Sequence, residues 1–164
     1  MRRYHLRRSD KELKDPKEIE DVLEKVRIMT VACCLKDEPY LFTVDFAWDS
    51  QARRLWFHCA PEGRKMNILQ ANPRVCVTVV EDRGYIQGEC DHAFRSQIIE
   101  GKAHVVTAMS EKRRALELLA RKHEPDPESV LARFAGNDES IREVGIVRIS
   151  VEQITGKQGP EVKK

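Results

Sequence analysis

The segment HCAPEGRKMNIL, from His58 to Leu69, combines residue types that can do chemistry: a histidine beside a cysteine, then a glycine followed by two cations. A Cys/His catalytic site, a metal site or an anion-binding turn could use them. His58 and Cys59 are adjacent in LWFHCA, a segment we predict to be a strand. Because neighbouring strand residues point to opposite faces, these two side chains cannot form a catalytic pair with each other.

A metal site has little support in the cysteine and histidine spacing. Cys90-x-His92 is a weak motif without a second matched pair nearby, and no C-x-x-C pair occurs. The odd number of cysteines and the missing signal peptide predict reduced thiols. The five cysteines are Cys33, Cys34, Cys59, Cys76 and Cys90. We expect no metal, and we expect Cys33, Cys59 and Cys76 to be small buried hydrophobes within strands.

An anion-binding turn fits the rest of the segment. Gly63 allows a tight turn before a predicted helix from Arg64 to Gln70, whose first N–H groups lack partners. A helix N-terminus favours an anion, and cations such as Arg64 and Lys65 are unusual in a first turn. The pattern therefore indicates a phosphate site, with a solvated basic corner as the alternative.

The elements around this segment predict an α+β fold. Asp15 and Pro16 are typical of a helix start, and Ser110 begins a second long helix. The sequence also predicts a short helix at Ser129–Ala135 and a loop or bulged strand at Gly84–Phe94. Six strands are predicted: Ile28–Leu35, Tyr40–Trp48, Leu55–Ala60, Arg74–Val80, Ser96–Val106 (bulged at Gly101) and Gly145–Val151. Six antiparallel strands that close into a small barrel with flanking helices would leave no exposed strand edge.

Length and charge limit the classes of partner. The chain of 164 residues is expected to be one domain, with an N-terminal arm at 1–14 and a loose tail at 157–164. Its net charge of +2 argues against a broad nucleic-acid surface. The cluster RRYHLRR (Arg2 to Arg8) is read as a solvated or partner-facing arm, with phosphate contact as the alternative. No apolar run could span a bilayer and no signal peptide is evident, so we expect a cytoplasmic protein without membrane partners.

Four motifs carry a resemblance to a known family. They are EPYLFTVDFAWD (Glu38 to Asp49), LWFHCAPEGRKMNILQANPRVCVTV (Leu55 to Val79), FRSQIIEGKAHVV (Phe94 to Val106) and VRISVEQITGK (Val147 to Lys157). From Ile19 to Lys157 the chain resembles the FMN-binding split β-barrel superfamily, the pyridoxamine 5′-phosphate oxidase-like proteins, and within it most of all the nitroimidazole-resistance (Nim) type. The resemblance implies a six-stranded Greek-key split barrel and a homodimer with two FMN sites between its subunits.

The resemblance also implies roles for individual residues. Flavin-lining residues would be Trp56, Phe57, His58 and Ala60, with Thr43, Val44 and Asp45 bordering the ring; Gly63, Arg64 and Lys65 would face the phosphate, and Arg95 and Ser96 would approach the cofactor. Where the Nim pattern commonly has Ser-Val, this chain has Ser96-Gln97, so Gln97 would contact the flavin or its neighbour, or face solvent.

The expected function is that of an FMN-dependent oxidoreductase acting on a small molecule. Reduction of a nitroaromatic or quinone-like compound and oxidation of a pyridoxamine phosphate-like amine both stay open. Asp45, His58 and Tyr85 are candidate proton donors. The alternative is a flavin- or haem-binding module without turnover, with His58, His92 or His104 as possible haem ligands. A nucleic-acid-binding protein is disfavoured by the balanced charge.

Overall fold

The structure is a computed structural model that describes residues 7–161. Eight strands and five α-helices follow a 3₁₀ turn at Ser9–Lys11. The strands are β1 (Glu12–Leu13), β2 (Ile28–Leu35), β3 (Glu38–Asp45), β4 (Ala47–Asp49), β5 (Arg54–Cys59), β6 (Arg74–Ile86), β7 (Asp91–Val106) and β8 (Gly145–Gln158). The helices are α1 (Pro16–Lys25), α2 (Arg64–Ala71), α3 (Met109–His123), α4 (Pro127–Phe134) and α5 (Asp138–Glu143).

All strand pairs are antiparallel and form one sheet in the order β3-β2-β6-β7-β8-β5-β4, with β1 added to β8. The sheet encloses a core to which β2, β5, β6, β7 and β8 contribute fully buried side chains such as Val31, Phe57, Val77, Ile99 and Val147. The predicted α+β class is confirmed. The predicted count of six strands is wrong, because the sheet has eight.

One of the extra strands arises where the predicted strand Tyr40–Trp48 divides at Phe46. The residues up to Asp45 pair with β2, whereas Ala47–Asp49 pair with β5, so the chain changes its ladder partner between them. The Phe46 backbone N–H donates to the Arg27 carbonyl over 3.3 Å, and the Phe46 side chain is fully buried. Burial alternates along β3, since Tyr40 and Phe42 are half-buried between exposed neighbours.

The segment Gly84–Phe94 extends the hairpin between β6 and β7 beyond the predicted strand ends. Its pairing shifts register between Asp82 and Tyr85, which agrees with the predicted irregularity. The predicted bulge at Gly101 is also present, because the β7–β8 register shifts there. A side chain at Gly101 would collide with the Ser150 carbonyl of β8, so only glycine fits at this close approach.

Residues near both ends of the described range take part in the sheet. Glu12 and Leu13 pair with Lys157 and Gly156, so the end of the predicted arm is a strand. Lys157 and Gln158 belong to the predicted loose tail, but both pair with β7, so the prediction is wrong for these two residues. Most of the RRYHLRR cluster lies outside the described residues. Of its described part, Arg8 forms an ion pair with Asp10.

The helices cover the barrel at different places. The Asp15 carboxylate accepts the Lys17 N–H over 2.9 Å, which confirms the predicted start of α1. Helix α3 lies on the outer surface of the barrel, where Ala115 packs against Trp56 of β5 and Ile146 of β8. Helix α5 was not predicted. It is fixed by the buried Lys112 ammonium, which donates to the carbonyls of residues 141, 142 and 144 at the end of α5.

Candidate functional site

The barrel is open between β3 and β5. Within residues 7–161, β3 is bound by another strand only on its β2 side. Strand β5 pairs with β4 at Arg54–Trp56, but from Phe57 to Cys59 it pairs with β8 alone. Two backbone edges therefore have unused hydrogen-bonding groups on either side of this opening, and a ligand could satisfy them as a further strand would.

Helix α2 begins directly beyond the end of β5. Its N-cap, Gly63, has φ 123°, a conformation that favours glycine. No side chain caps this end and no acid occupies the first turn; the first intrahelical bond within α2 is donated by Asn67 to Gly63. The N–H groups of the first turn are therefore free to bind an anion.

The two cations of this turn extend across the open end of the barrel. The Arg64 guanidinium lies 4.6 Å from the ring centroid of Tyr40, and the Lys65 ammonium lies 5.1 Å from that of Phe42. Both aromatic rings belong to β3. Cation–π contacts thus hold the positive charge beside the free edge of β3, and the turn and both strand edges meet at one end of the opening.

The candidate side chains of β3 and β5 divide into two groups. Asp45 and His58 are exposed and line the same cavity, so the structure brings these two together. Phe57 and Trp56 are buried, Phe57 within the barrel and Trp56 beneath α3. Residues of the buried group could contact a ligand in the opening only through their backbone groups.

The cavity that Asp45 and His58 line has a volume of about 480 Å³. Its remaining lining comes from α3, α4, α5 and the segments that connect them, which include His123, Glu124, Arg133, Phe134 and Glu143. His123 is fixed by a contact of 2.9 Å between its Nε2 and the Phe46 carbonyl. Sequence reasoning did not identify this half of the site.

Comparison with known proteins agrees with this architecture. The family profile described as pyridoxamine 5′-phosphate oxidase matches residues 15–158, which is most of the chain. The chain belongs to this family. The resemblance stated from the four sequence motifs is thereby confirmed.

Solved structures with the same fold have varied descriptions. A protein from Bacteroides thetaiotaomicron provisionally assigned to 5-nitroimidazole antibiotic resistance is 28% identical, with 90% of this chain and 86% of that chain covered and a TM-score of 0.75. A FAD-binding protein from Mesorhizobium loti is 25% identical, with 90% and 96% covered and a TM-score of 0.63. A FAD- and haem-binding protein from Mycobacterium smegmatis is 17% identical, with 94% and 76% covered and a TM-score of 0.77, a likeness of fold alone. Among curated proteins, none matches the chain.

Arg95, which the family resemblance places near the cofactor, has its guanidinium bound elsewhere. Its side chain is 5% exposed and forms ion pairs with Asp21 of α1 and Glu81 of β6. Hydrogen bonds from Arg95 lower the pKa of both carboxyl groups. Its neighbour Ser96 lies on the opposite, outer face of β7 and is half-buried. Neither residue lines the cavity beside Asp45 and His58.

Gln97 does not face solvent, so that expectation is wrong, whereas its expected contact with the flavin or its neighbour stays a prediction. The side chain is fully buried, and its Nε2 donates to the Ile19 carbonyl over 2.7 Å. Residues 95 and 97 share a face of β7, and both contact α1. The departure from the family pattern at Gln97 therefore concerns the attachment of α1 to the sheet.

The remaining candidate residues lie apart from the opening. Tyr85 is exposed on the β6–β7 hairpin, where its ring lies 6.2 Å from that of His92. His92 contacts Asp82 over 2.7 Å, which lowers the pKa of Asp82. His104 is exposed on β7. In the part of the chain that the structure describes, no three His, Cys, Asp or Glu side chains are grouped to hold a metal ion.

The cysteines do not contribute a reactive thiolate to the opening. Burial raises the pKa of Cys59, whose Sγ lies 3.7 Å from Met66 Sδ, so this thiol stays protonated. Cys33 is buried as expected, and Cys59 is half-buried. The expectation for Cys76 is wrong, because this residue is exposed on the outer face of β6 between buried Val75 and Val77.

Among the helices of residues 7–161, none has the length and apolar character needed to cross a membrane. The cytoplasmic location stays a prediction from the sequence.

Proposed function

We propose that this chain is an FMN-binding flavoprotein and an oxidoreductase that acts on a small molecule. The observation that carries the proposal is the meeting of two unpaired strand edges with the cationic, uncapped start of α2. A flavin mononucleotide has a planar ring with hydrogen-bonding groups along its edge and a phosphate at the end of its side chain, and this opening offers groups suited to both parts.

The phosphate would be held by the first N–H groups of α2 together with Arg64 and Lys65. The helix start and the charge-assisted hydrogen bonds both favour a dianion. The ring would lie along the backbone of Thr43–Asp45 and Phe57–Ala60. When bound, FMN supplies the capacity to accept and return electrons, and the protein orients the ring and limits the access of water.

Two ionisable side chains lie where this site meets the cavity. Asp45 and His58 both line the cavity and are otherwise exposed. An imidazole can donate or accept a proton through either ring nitrogen, so His58 would exchange a proton with a substrate in the cavity. Tyr85 lies on the distant β6–β7 hairpin and does not line the cavity, so the proposed role does not extend to it.

The proposal includes a homodimer with FMN at the subunit interface. The outer face of β2, β3, β6 and β7 carries apolar side chains that are unusually exposed: Ile28 at 53%, Leu41 at 65%, Val80 at 51% and Ile98 at 44%. Thr30, Thr43 and Thr78 lie between them in the register. An exposed apolar patch of this kind typically marks an interaction surface. Since Thr43 and Asp45 belong to the same face, a partner there would border the flavin site.

The decisive experiment is the removal of both cations at α2. For the double variant Arg64→Ala/Lys65→Ala we expect FMN to bind at least roughly tenfold more weakly, since charge-assisted hydrogen bonds contribute about 1.5–3 kcal/mol each when sheltered. Affinity is measured by the quenching of flavin fluorescence on titration with protein. Circular dichroism and thermal unfolding show whether the fold is retained.

A matched control removes two cations elsewhere. Arg114 and Arg121 lie on α3, and both are exposed and contact Glu117. The variant Arg114→Ala/Arg121→Ala changes the net charge equally and should bind FMN as the unaltered protein does. Equal FMN affinity in both double variants would place the phosphate elsewhere. Protein that takes up no FMN at all would refute the proposed function.

A haem-binding module is the second candidate, because His58 and His123 line one cavity with the apolar side chains Leu116, Leu131 and Phe134. Of the histidines considered from the sequence, His92 and His104 lie outside this cavity. Titration with haemin distinguishes the two candidates. A Soret band that disappears in His58→Ala would favour the haem module, whereas a flavin spectrum without haem uptake would favour the flavoprotein.

A further inference from the structure

The cavity next to the proposed flavin site has mainly apolar walls. Leu116 and Leu119 of α3, Val130 and Leu131 of α4, and Val144 before β8 all contribute to its surface. At about 480 Å³ it is large enough for a small planar molecule. Because Asp45 and His58 form its border with the opening between β3 and β5, a ligand in this cavity would lie beside whatever occupies that opening.

The charged side chains of the cavity are predominantly acidic. Asp45, Glu124 and Glu143 contribute three carboxylates, and Arg133 contributes the single guanidinium. Helices α3, α4 and α5 form their ion pairs through other acids: Glu111, Glu117, Glu128 and Asp138. The three carboxylates of the cavity are thus not committed to those pairs.

The one cation of the cavity is engaged with an aromatic ring. The Arg133 guanidinium carbon lies 4.3 Å from the ring centroid of Phe134. His123 is fixed through its contact with the Phe46 carbonyl. An anionic group that entered the cavity would meet three carboxylates and a single guanidinium. A positively charged group would meet an attractive field at the cavity rim.

We infer that the cavity binds a planar, apolar molecule that carries a positive charge, and that it discriminates against phosphate esters. This inference rests on the proposed function, because it assigns the cavity to the substrate of the flavin. Of the two reactions left open by the sequence, it disfavours oxidation of a phosphorylated amine, since the phosphate would have to enter an acidic cavity.

The test uses three-ring probes that differ in charge: proflavine as the cation, 9-anthracenemethanol as the neutral molecule and anthracene-9-carboxylate as the anion. Each is titrated into the purified protein and its fluorescence is recorded, with the flavin content of the sample measured separately by absorption. We expect proflavine to bind at least roughly tenfold more tightly than the carboxylate, from a few charge interactions in a partly hydrated site.

Two variants of α5 test whether a carboxylate of the cavity causes the preference for the cation. Glu143 lines the cavity, whereas Glu139 of the same helix does not. Glu143→Gln should weaken proflavine binding by about threefold to tenfold, because it removes one nearby charge. Glu139→Gln should leave it unchanged. Proflavine must also bind the double variant Arg64→Ala/Lys65→Ala with unchanged affinity, since tighter binding after the loss of these two cations would assign the dye to the flavin site.

The outcomes separate this inference from the proposed function. Tighter binding of the anion, equal effects of Glu139→Gln and Glu143→Gln, or no binding of any probe would overturn the inference, even if the sample contains flavin. Proflavine binding that depends on Glu143 in a protein that takes up no flavin would support the cationic site and refute the flavoprotein proposal.

Discussion

Replacing Arg95 by methionine should destabilise the protein without weakening FMN binding. Arg95 lies on β7 in a buried position, and its guanidinium joins Asp21 of α1 to Glu81 of β6. Methionine retains most of the length and apolar volume of the side chain but removes the charge. The substitution therefore separates an electrostatic link between α1 and the sheet from a direct role at the cofactor.

The expected loss of stability follows from the ion pairs that the carboxylates of Asp21 and Glu81 lose. Breaking a buried ion pair by removing one partner costs about 3–5 kcal/mol. Here Glu81 is 19% exposed and Asp21 is 40% exposed, so water partly compensates both. Each also keeps a second cation, Arg83 for Glu81 and Lys25 for Asp21. We therefore expect Arg95→Met to lower the free energy of unfolding by about 2–3 kcal/mol at neutral pH.

The loss should depend on pH in a defined direction. Arg95 lowers the pKa of both Asp21 and Glu81 in the folded state. Carboxylates with a lowered pKa stabilise the fold above their unfolded pKa values, which are about 4. That contribution disappears as the pH falls through the folded pKa values. The difference in free energy of unfolding between the unaltered protein and Arg95→Met should thus reach its maximum at about pH 6 and decrease below about pH 4.

Urea unfolding followed by circular dichroism gives the free energies, and flavin fluorescence gives the FMN affinity. Lys25→Met is the control. Its ion pair with Asp21 is exposed, with a distance of 2.9 Å, and should contribute less than about 1 kcal/mol. An Arg95→Met protein of unchanged stability that binds FMN tenfold more weakly would refute this reasoning and return Arg95 to the cofactor site. A difference in stability independent of pH would contradict the electrostatic explanation.

Two further substitutions test neighbouring parts of the argument. Leu41→Glu should convert the proposed dimer to monomers with little change in secondary structure, because Leu41 is 65% exposed on the open sheet face. Sedimentation velocity measures the mass of the particle. An unchanged dimer would exclude this face as the interface. Gln97→Met should change the free energy of unfolding by less than about 1.5 kcal/mol, because two effects oppose each other. The substitution removes the hydrogen bond to the Ile19 carbonyl, which is destabilising. It also removes the buried Gln97 Oε1, which has no hydrogen-bond partner, and this is stabilising. FMN affinity should not change in Gln97→Met, and a marked loss would mean that Gln97 reaches the site through α1.

Local signals predicted the elements that form the proposed phosphate site. The Gly63 turn and the helix after it are determined by residues that are neighbours in the sequence. This helix, α2, ends one residue beyond its predicted end at Gln70. The division of the predicted strand at Phe46 has a different origin. Both halves have strand-forming residues, and only the change of partner from β2 to β5 separates them. A sequence pattern reports strand propensity but does not report which strand will pair with it.

Cys76, which was predicted to be buried, shows the same limit of sequence patterns within a single strand. The run VCVTVV has apolar residues at successive positions, so its alternation does not indicate which face is buried. The barrel buries Val75, Val77 and Val79 and leaves Cys76 outside. On β3, by contrast, polar Thr43 and Asp45 alternate with apolar Phe42 and Val44, so the sequence pattern indicates which face is buried.

The candidate site was predicted in one half and missed in the other for a physical reason. The turn at Gly63 and the ends of β3 and β5 are contiguous motifs, whereas the cavity is closed by α3, α4 and α5. The carboxylates Glu124 and Glu143 join Asp45 only because these helices pack over the outer surface of β5. The charge that would select the substrate therefore comes from a part of the chain with no recognisable motif. If FMN binds at the Gly63 turn as proposed, the charge of α3–α5 is where the substrate preference of this chain should first be sought.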